Sequence, residues 1–167
     1  MEKIEIKDVE ENNEFKYFHL KKPFSITLLE SEVLIFKKKQ EVIKSVLSTG
    51  FFYDYKRLDN IMNNISLYVY ENYKDIVGDS DKDIYDIFND GADILEYLES
   101  ECRLNAVLDV VDKKIKTKIY RNNKRVSYKE IVYNDKYRID LVVKKIIFEN
   151  KTQKYYPEFL IKNIYFS

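Results

Sequence analysis

Alternation of polar and apolar residues predicts short strands in the first third of the chain. Residues 3–7 alternate strictly, which is typical of a strand with one buried face. Residues 14–20 and 24–29 are rich in aromatic and β-branched side chains, and the Lys21-Lys22-Pro23 segment between them interrupts the pattern. We therefore expect three short strands before the middle of the chain.

The middle third shows helical spacing instead. Residues 42–47 place four apolar side chains on one helical face, and Gly50 follows where a helix commonly ends. Over residues 58–76 apolar side chains recur every three or four positions, and a similar pattern covers residues 84–98. These patterns predict three central helices.

The last third returns to strand patterns. Residues 114–120 alternate, the 121–124 segment has the composition of a turn, and 126–133, 137–148 and 155–166 are rich in β-formers. A length of 167 residues fits a single domain, residues 1–167. The order of elements predicts an α+β fold with N-terminal short strands, central helices and a C-terminal antiparallel β-meander.

Composition excludes several kinds of site. Three scattered glycines are too few for a phosphate-binding loop, and one His with one Cys cannot supply a four-ligand zinc site. Cys102 has no second cysteine for a disulfide. Because neither a membrane-spanning apolar run nor a secretory leader pattern is present, we expect a cytoplasmic protein with no membrane partner. The abundance of Lys, Asn, Ile and Tyr predicts an AT-rich genome, such as that of a low-GC bacterium, a phage or a large virus.

Charge is distributed unevenly, although the chain is neutral overall. Residues 71–101 carry 11 acidic and 2 basic side chains, and residues 102–167 carry 7 acidic and 16 basic ones. Such asymmetry is typical of an interaction surface, although packing of the acidic segment beside the basic one explains it equally well.

The acidic segment predicts a stripe of carboxylates along a helix, formed by Asp79, Asp83, Asp86, Asp90 and Asp93. A stripe of this kind can mimic phosphates and dock into a basic groove of another protein. Our main hypothesis is therefore a non-enzymatic binding protein, encoded by a phage or mobile element, that inhibits a protein partner through charged surfaces. It needs no cofactor and no metal, and a homodimer is among the expected assemblies. The alternatives are a solvated helix face and an accessory subunit that serves only assembly.

A second pattern involves two carboxylates near the C-terminus. Asp140 is followed by an apolar stretch around Lys144-Lys145 and then by Glu149 and Lys151. This pattern resembles the D…ExK core of PD-(D/E)xK nucleases. The resemblance implies that Asp140 and Glu149 hold Mg²⁺ and that Lys151 positions the attacking water. A two-residue turn at Lys144-Lys145 would bring the two carboxylates opposite each other. One strand with charged ends, or a hairpin with cross-strand ion pairs, is the alternative.

A third pattern is a basic and aromatic β-surface. Basic side chains and one tyrosine occupy alternate positions of the predicted strand 114–120, and further basic side chains follow in the neighbouring elements. The set is Lys114, Lys116, Lys118, Tyr120, Arg121, Lys124, Arg125, Lys129 and Arg138. Cations interleaved with tyrosine can follow a phosphate backbone and stack on bases, so nucleic-acid binding is the alternative function. A solvated outer face or a protein interface would show the same pattern.

Overall fold

The computed structural model describes residues 4–39, 42–72, 95–97, 102–132, 135–152 and 154–167. Within these ranges the chain forms one α-helix, α1 (Phe52–Glu71), a 3₁₀ turn (Tyr128–Glu130) and a series of strands. The strands are β1 (Ile6–Glu11), β2 (Phe15–Lys39), β3 (Val42–Thr49), β4 (Leu95–Tyr97), β5 (Cys102–Leu108), β6 (Val110–Val111), β7 (Lys114–Ile115), β8 (Lys118–Arg121), β9 (Lys124–Val126), β10 (Lys136–Glu149) and β11 (Lys154–Phe166).

Most of these strands belong to one mixed sheet. Its order is β4-β5-β3-β2-β10-β11-β8-β9, and β1 adds beside β2. Strand β11 also pairs with β5. The strands β5, β3, β2, β10 and β11 therefore form a closed cycle of paired neighbours. The pairs that β11 forms with β5 and β8 are parallel, whereas β1–β2, β2–β3, β3–β5 and β8–β9 are antiparallel. Helix and strands occupy separate stretches of the described chain, so the predicted α+β class is found in this broad sense.

The prediction of a helix at 42–47 is wrong, because this segment is strand β3. Val42, Ile43 and Val46 are β-branched, and such side chains favour strands. Burial alternates from residue 42 to residue 45, as in a strand with one face on the core. Strand β3 has partners on both sides, β2 and β5, and this pairing prevails over the helical spacing of four apolar residues.

The second predicted helix is confirmed as α1 in the part that the structure describes. Its buried apolar residues recur at three and four positions: Leu58, Ile61, Met62, Ile65 and Val69. Residues 84–94 and 98 of the third predicted helix lie outside the described residues. The last part of that prediction is wrong, because Leu95–Tyr97 forms β4 beside β5. The backbone of β5 offers hydrogen bonds to β4, and side-chain spacing gives no sign of such an edge.

The N-terminal strands are not all short, because residues 15–39 form the single strand β2. Its buried positions change from even to odd numbers between Leu28 and Ser31, which indicates a β-bulge. At that point the N–H groups of Leu29 and Glu30 both donate to the carboxylate of Asp54, at 2.9 and 3.0 Å. Successive N–H groups of a regular strand point in opposite directions, so the shared acceptor holds the chain in the bulged form.

The same carboxylate holds the first turn of α1. Asp54 is fully buried, and it also accepts hydrogen bonds from Thr49 Oγ1 at 3.2 Å and from Arg57 Nη2 at 2.8 Å. An acid in the first turn further complements the helix dipole. One buried side chain therefore joins the bulge of β2, the end of β3 and the start of α1.

The C-terminal strands do not form the predicted meander. Strands β8 and β9 make a hairpin at the predicted turn, where Asn122 and Asn123 adopt φ values of 50° and 67°. These values suit the two-residue turns that hairpins favour. Strand β11, however, lies between β10 and β8 and runs parallel to β8, so β9 and β10 are not neighbours. The sheet in this region is mixed because β11 pairs with strands that are distant from it in sequence.

Contacts divide the chain into two compact units, with boundaries inside β2, α1, β10 and β11. Unit 1 consists of Met1–Phe24, Asp59–Ile94 and Val143–Glu158, and unit 2 of Ser25–Leu58, Leu95–Val142 and Phe159–Ser167. In unit 1, Ser66 Oγ and Tyr155 OH lie 3.3 Å apart and join α1 to β11. In unit 2, Leu47, Leu104 and Ile161 are buried in the sheet core. The single domain stays a prediction.

Candidate functional site

The aspartates of the predicted acidic stripe lie outside the described residues: Asp79, Asp83, Asp86, Asp90 and Asp93. Their role in partner binding stays a prediction.

The residues of the nuclease-like pattern lie along one strand and just beyond it. Strand β10 runs unbroken to Glu149, so no turn at Lys144-Lys145 folds Glu149 back toward Asp140. Lysine disfavours the positive φ that a two-residue turn needs, whereas asparagine tolerates it. Lys151 lies in the exposed turn after β10. Among the described residues, no group of three His, Cys, Asp or Glu side chains could hold a metal ion.

Asp140 serves instead as a hydrogen-bond acceptor between strands of unit 2. Its Oδ1 accepts from Thr27 Oγ1 of β2 at 2.8 Å, and its Oδ2 accepts from Asn163 Nδ2 of β11 at 2.9 Å. Both carboxylate oxygens are therefore engaged by neutral donors. The cross-strand contacts account for an acid at this position of the sheet without a metal.

The predicted basic residues are all exposed and are distributed over the β6–β7 hairpin, the segment that follows it, β8, the 3₁₀ turn and β10: Lys114, Lys116, Lys118, Arg121, Lys129 and Arg138. The predicted strand 114–120 is interrupted at Thr117, which is buried. Its hydroxyl donates to the carbonyl oxygen of Ile161 and accepts from the N–H of Asp109 at 2.8 Å. The N–H groups of Lys116 and Thr117 both donate to the carbonyl oxygen of Asp109, so Lys114 in β7 and Lys116 after it do not lie on the same strand as Lys118.

Lys118 and Tyr120 share the outer face of β8, as the alternation predicts. Ile119 between them is buried, so it marks the inner face of the strand. Arg121 lies on the inner side at the strand end, where its guanidinium is 5.9 Å from the ring centroid of Phe166. Only part of the predicted basic set therefore forms one surface.

Four side chains from four neighbouring strands form a row on this outer face. Tyr120 of β8 is in register with Tyr165 of β11, and their rings stack with centroids 5.4 Å apart and planes 12° from parallel. Arg138 of β10 also contacts Tyr165, with Cζ 4.2 Å from the ring centroid. Arg125 of β9 is the cross-strand partner of Tyr120. We call Arg125, Tyr120, Tyr165 and Arg138 the basic-aromatic row; at ordinary strand spacing it is roughly 14 Å long.

The carboxylate of Asp140 lies close enough to Tyr165 to raise its pKa, but within the described residues it forms no salt bridge with an arginine of the row. In the part of the chain that the structure describes, neither Arg125 nor Arg138 forms a salt bridge, whereas Lys162 pairs with Asp109 at 2.8 Å. Residues 112–130 add eight exposed Lys and Arg side chains against two acids. A guanidinium held over an aromatic ring has fewer orientations open to it, and its outer N–H groups can then donate to two oxygens of one anion.

Tyr165 contributes no negative charge to the row at neutral pH. Burial raises the pKa of Tyr165, the carboxylate of Asp140 raises it further, and Arg138 lowers it in part. The phenol therefore stays protonated, and the row carries the positive charge of its two arginines.

Sequence reasoning missed Tyr165 as a member of the site. The alternation of Asn163 and Tyr165 with Ile164 places the first two on one face of β11. That signal indicates an outer face, but it does not show which strand lies beside β11. The parallel pairing with β8 joins segments more than 40 residues apart, and side-chain spacing does not reveal such a pairing.

A second surface of unit 2 surrounds the first turn of α1. Phe51, Phe52, Tyr53 and Tyr55 form an aromatic cluster with ring centroids 5.4–6.0 Å apart. Phe52 and Tyr53 are 54% and 64% exposed. Exposed aromatic side chains in mutual contact are typical of protein interfaces.

Comparison of the chain with protein-family models, curated proteins and solved structures gave no match. In the described ranges, no helix combines the length and the apolar character needed to cross a membrane.

Proposed function

We propose that the chain is a binding protein that holds a nucleic acid on the basic-aromatic row and the exposed cations around it. The observation that carries the proposal is the row itself, in which Arg125 and Arg138 flank two stacked tyrosines. Catalysis forms no part of the proposal.

Charge supports a polyanionic partner. The exposed cations of residues 112–130 lie on two tight hairpins and the 3₁₀ turn that follows them. Their number exceeds what the two nearby acids can neutralise. A local excess of unpaired cations is the electrostatic footprint of a surface that contacts phosphates.

Geometry supports phosphate as the anion. Arg138 is exposed, and its stacking on Tyr165 restricts the orientations of its guanidinium. A flat guanidinium can donate two parallel hydrogen bonds to two phosphate oxygens. Lys118 lies on the same face of β8 as Tyr120 and adds a further donor near the row.

The test is a salt titration of binding. Labelled single-stranded and duplex DNA and RNA are mixed with the wild type, with Lys118→Gln and with Lys7→Gln, and native gels report the affinity. We expect the logarithm of the affinity to fall with the logarithm of the salt concentration. Lys118→Gln should reduce that slope by about one. Lys7 is an exposed lysine of unit 1 and is not a member of the row, so Lys7→Gln is the matched control and should leave the slope unchanged.

A slope that is the same in all three proteins, or no binding at low salt, would contradict the proposal. Denaturing gels of the same samples with Mg²⁺ report cutting. Metal-dependent cleavage that is lost in Asp140→Ala would favour the nuclease alternative over simple binding.

A protein partner is the second candidate function, because Phe52 and Tyr53 are exposed in an aromatic cluster. The partner is a second copy of this chain or a protein that the chain inhibits. Sedimentation equilibrium of the wild type and of Phe52→Ser tests whether the partner is a second copy of the chain. A dimer held by the aromatic cluster should dissociate in the variant. Replacement of Asp83, Asp86 and Asp90 by Lys reverses the charge of the acidic stripe. It should abolish the inhibition of a protein partner and leave nucleic-acid binding unchanged.

A further inference from the structure

We infer that the basic-aromatic row binds an unpaired nucleobase on the open ring face of Tyr120, so that the nucleic acid it prefers is single-stranded. This inference rests on the proposed nucleic-acid binding and specifies its form.

The stack of the row is covered at one end and open at the other. Tyr165 has Tyr120 on one side and Arg138 on the other. Tyr120 has Tyr165 on one side. Within the described residues, no ring and no cation covers the side of Tyr120 that faces β9.

The open face has the chemistry of a base-stacking site. The Tyr120 side chain is half-buried, and its orientation is fixed by the stack with Tyr165. A base placed on it extends an existing stack, so little side-chain freedom is lost on binding. Arg125 is exposed on the neighbouring edge strand β9, where its guanidinium can cover the other face of the base or contact the adjoining phosphate.

An unpaired base fits this position better than a duplex. Bases in a duplex are already stacked on both faces, so they cannot lie on Tyr120 without leaving the helix. In the described ranges α1 is the one long helix, and it exposes Asn60, Asn63 and Leu67 rather than a run of cations. The β8–β9 ribbon is bonded to β11 and is therefore not free to enter a groove.

The experiment compares three probes of equal length: a single-stranded oligonucleotide, the same strand with abasic residues, and its duplex. Each is tested as DNA and the first also as RNA, by fluorescence anisotropy with the wild type, Tyr120→Leu and Tyr120→Phe. We expect the wild type to bind the single strand roughly tenfold more tightly than the abasic strand. Tyr120→Leu should lose this difference and keep its salt-dependent binding. Tyr120→Phe should retain the difference, because it keeps the ring.

Tyr70→Leu is the matched control, since Tyr70 is an exposed tyrosine outside the row and outside the aromatic cluster. It should behave as the wild type, and thermal melting of each variant checks that it is folded. Equal binding of the single strand and the abasic strand by the wild type overturns the base site but leaves phosphate binding intact. A preference for the duplex overturns it as well. Absence of binding to every probe rejects the proposed function itself.

Discussion

Two cation–tyrosine contacts on β10, one in each unit, have similar geometry and different surroundings. In unit 1, Lys145 Nζ lies 4.6 Å from the ring centroid of Tyr17 and 3.8 Å from a carboxylate oxygen of Glu158. In unit 2, Arg138 Cζ lies 4.2 Å from the ring centroid of Tyr165, and no salt bridge is formed by Arg138 in the part of the chain that is described. Lys145 is therefore ion-paired within the fold, whereas Arg138 has no ion-pair partner among the described residues.

The charged groups that shift the pKa values of the two tyrosines show the same difference. Burial raises the pKa of Tyr17, and the carboxylates of Glu10, Glu158 and Glu14 add to the rise. Burial also raises the pKa of Tyr165, but there the single acid, Asp140, is opposed by Arg138. The charged groups around the two rings therefore differ: several carboxylates act on Tyr17, whereas Asp140 and Arg138 act on Tyr165 in opposite directions.

The largest effect on stability is expected at Asp54, a fully buried acid that forms a salt bridge with Arg57. Asp54→Ala leaves the N–H groups of Leu29 and Glu30 without their acceptor and removes the partner of Arg57. We expect a loss of about 3 kcal/mol in the free energy of unfolding, measured by urea denaturation. Asn60→Ala, at an exposed position of the same helix, should change it by about 0.5 kcal/mol or less. Similar losses in the two variants would show that Asp54 does not hold the bulge and the helix start.

Separate replacement of the two β10 cations by glutamine tests the comparison directly. Arg138→Gln should weaken nucleic-acid binding several-fold and lower the free energy of unfolding by less than Lys145→Gln does, because it removes the contact with Tyr165 but no salt bridge within the described residues. Lys145→Gln should leave binding unchanged and lower the free energy of unfolding by about 1 kcal/mol, because it removes a contact with Tyr17 and one with Glu158. Binding titrations and urea melts on both variants decide the matter. The comparison fails if the two substitutions weaken binding equally.

The smallest of the expected effects is a change in thermal stability at alkaline pH. The pKa values of Tyr17 and Tyr165 are raised above the ordinary tyrosine value of about 10, so the folded state keeps these protons to higher pH than the unfolded state. Their contribution to stability is complete below the unfolded pKa and is lost as the pH rises through the folded pKa. Tyr17→Phe should therefore lessen the fall in melting temperature above about pH 10. Added salt should lower the pKa of Tyr17, because its rise depends partly on carboxylates. Absorbance titration of the tyrosines follows both, and an ordinary pKa at Tyr17 would contradict the expectation.

Parts of this picture follow from the sequence and parts do not. The strands β10 and β11 and the turn at Asn122-Asn123 are predicted, because β-branched residues, alternation and asparagine act locally. Alternation also places Lys118 with Tyr120 on one face. Each of these features depends on residues within one element.

Several of the errors involve pairing between distant segments. Strand β3 has helical spacing, but its position between β2 and β5 decides its structure. Tyr165 joins the row only because β11 lies beside β8. Asp54 holds a bulge that begins 25 residues earlier in the chain, and no local pattern indicates that contact. Three of the four residues of the row are therefore identified from the sequence, and Tyr165, which β11 supplies, is not.

The order of the sheet also affects how fast the protein folds. Strand β2 is a neighbour of β10, and the hydrogen bond between Thr27 and Asp140 spans 113 residues of chain. Contacts this distant in sequence close large loops before they contribute to stability, so folding is expected in the millisecond-to-second range typical of such topologies. During synthesis β2 has no β10 beside it until most of the chain has been made. Its unpaired edge is then open to aggregation, which makes this long strand a segment that a chaperone would protect.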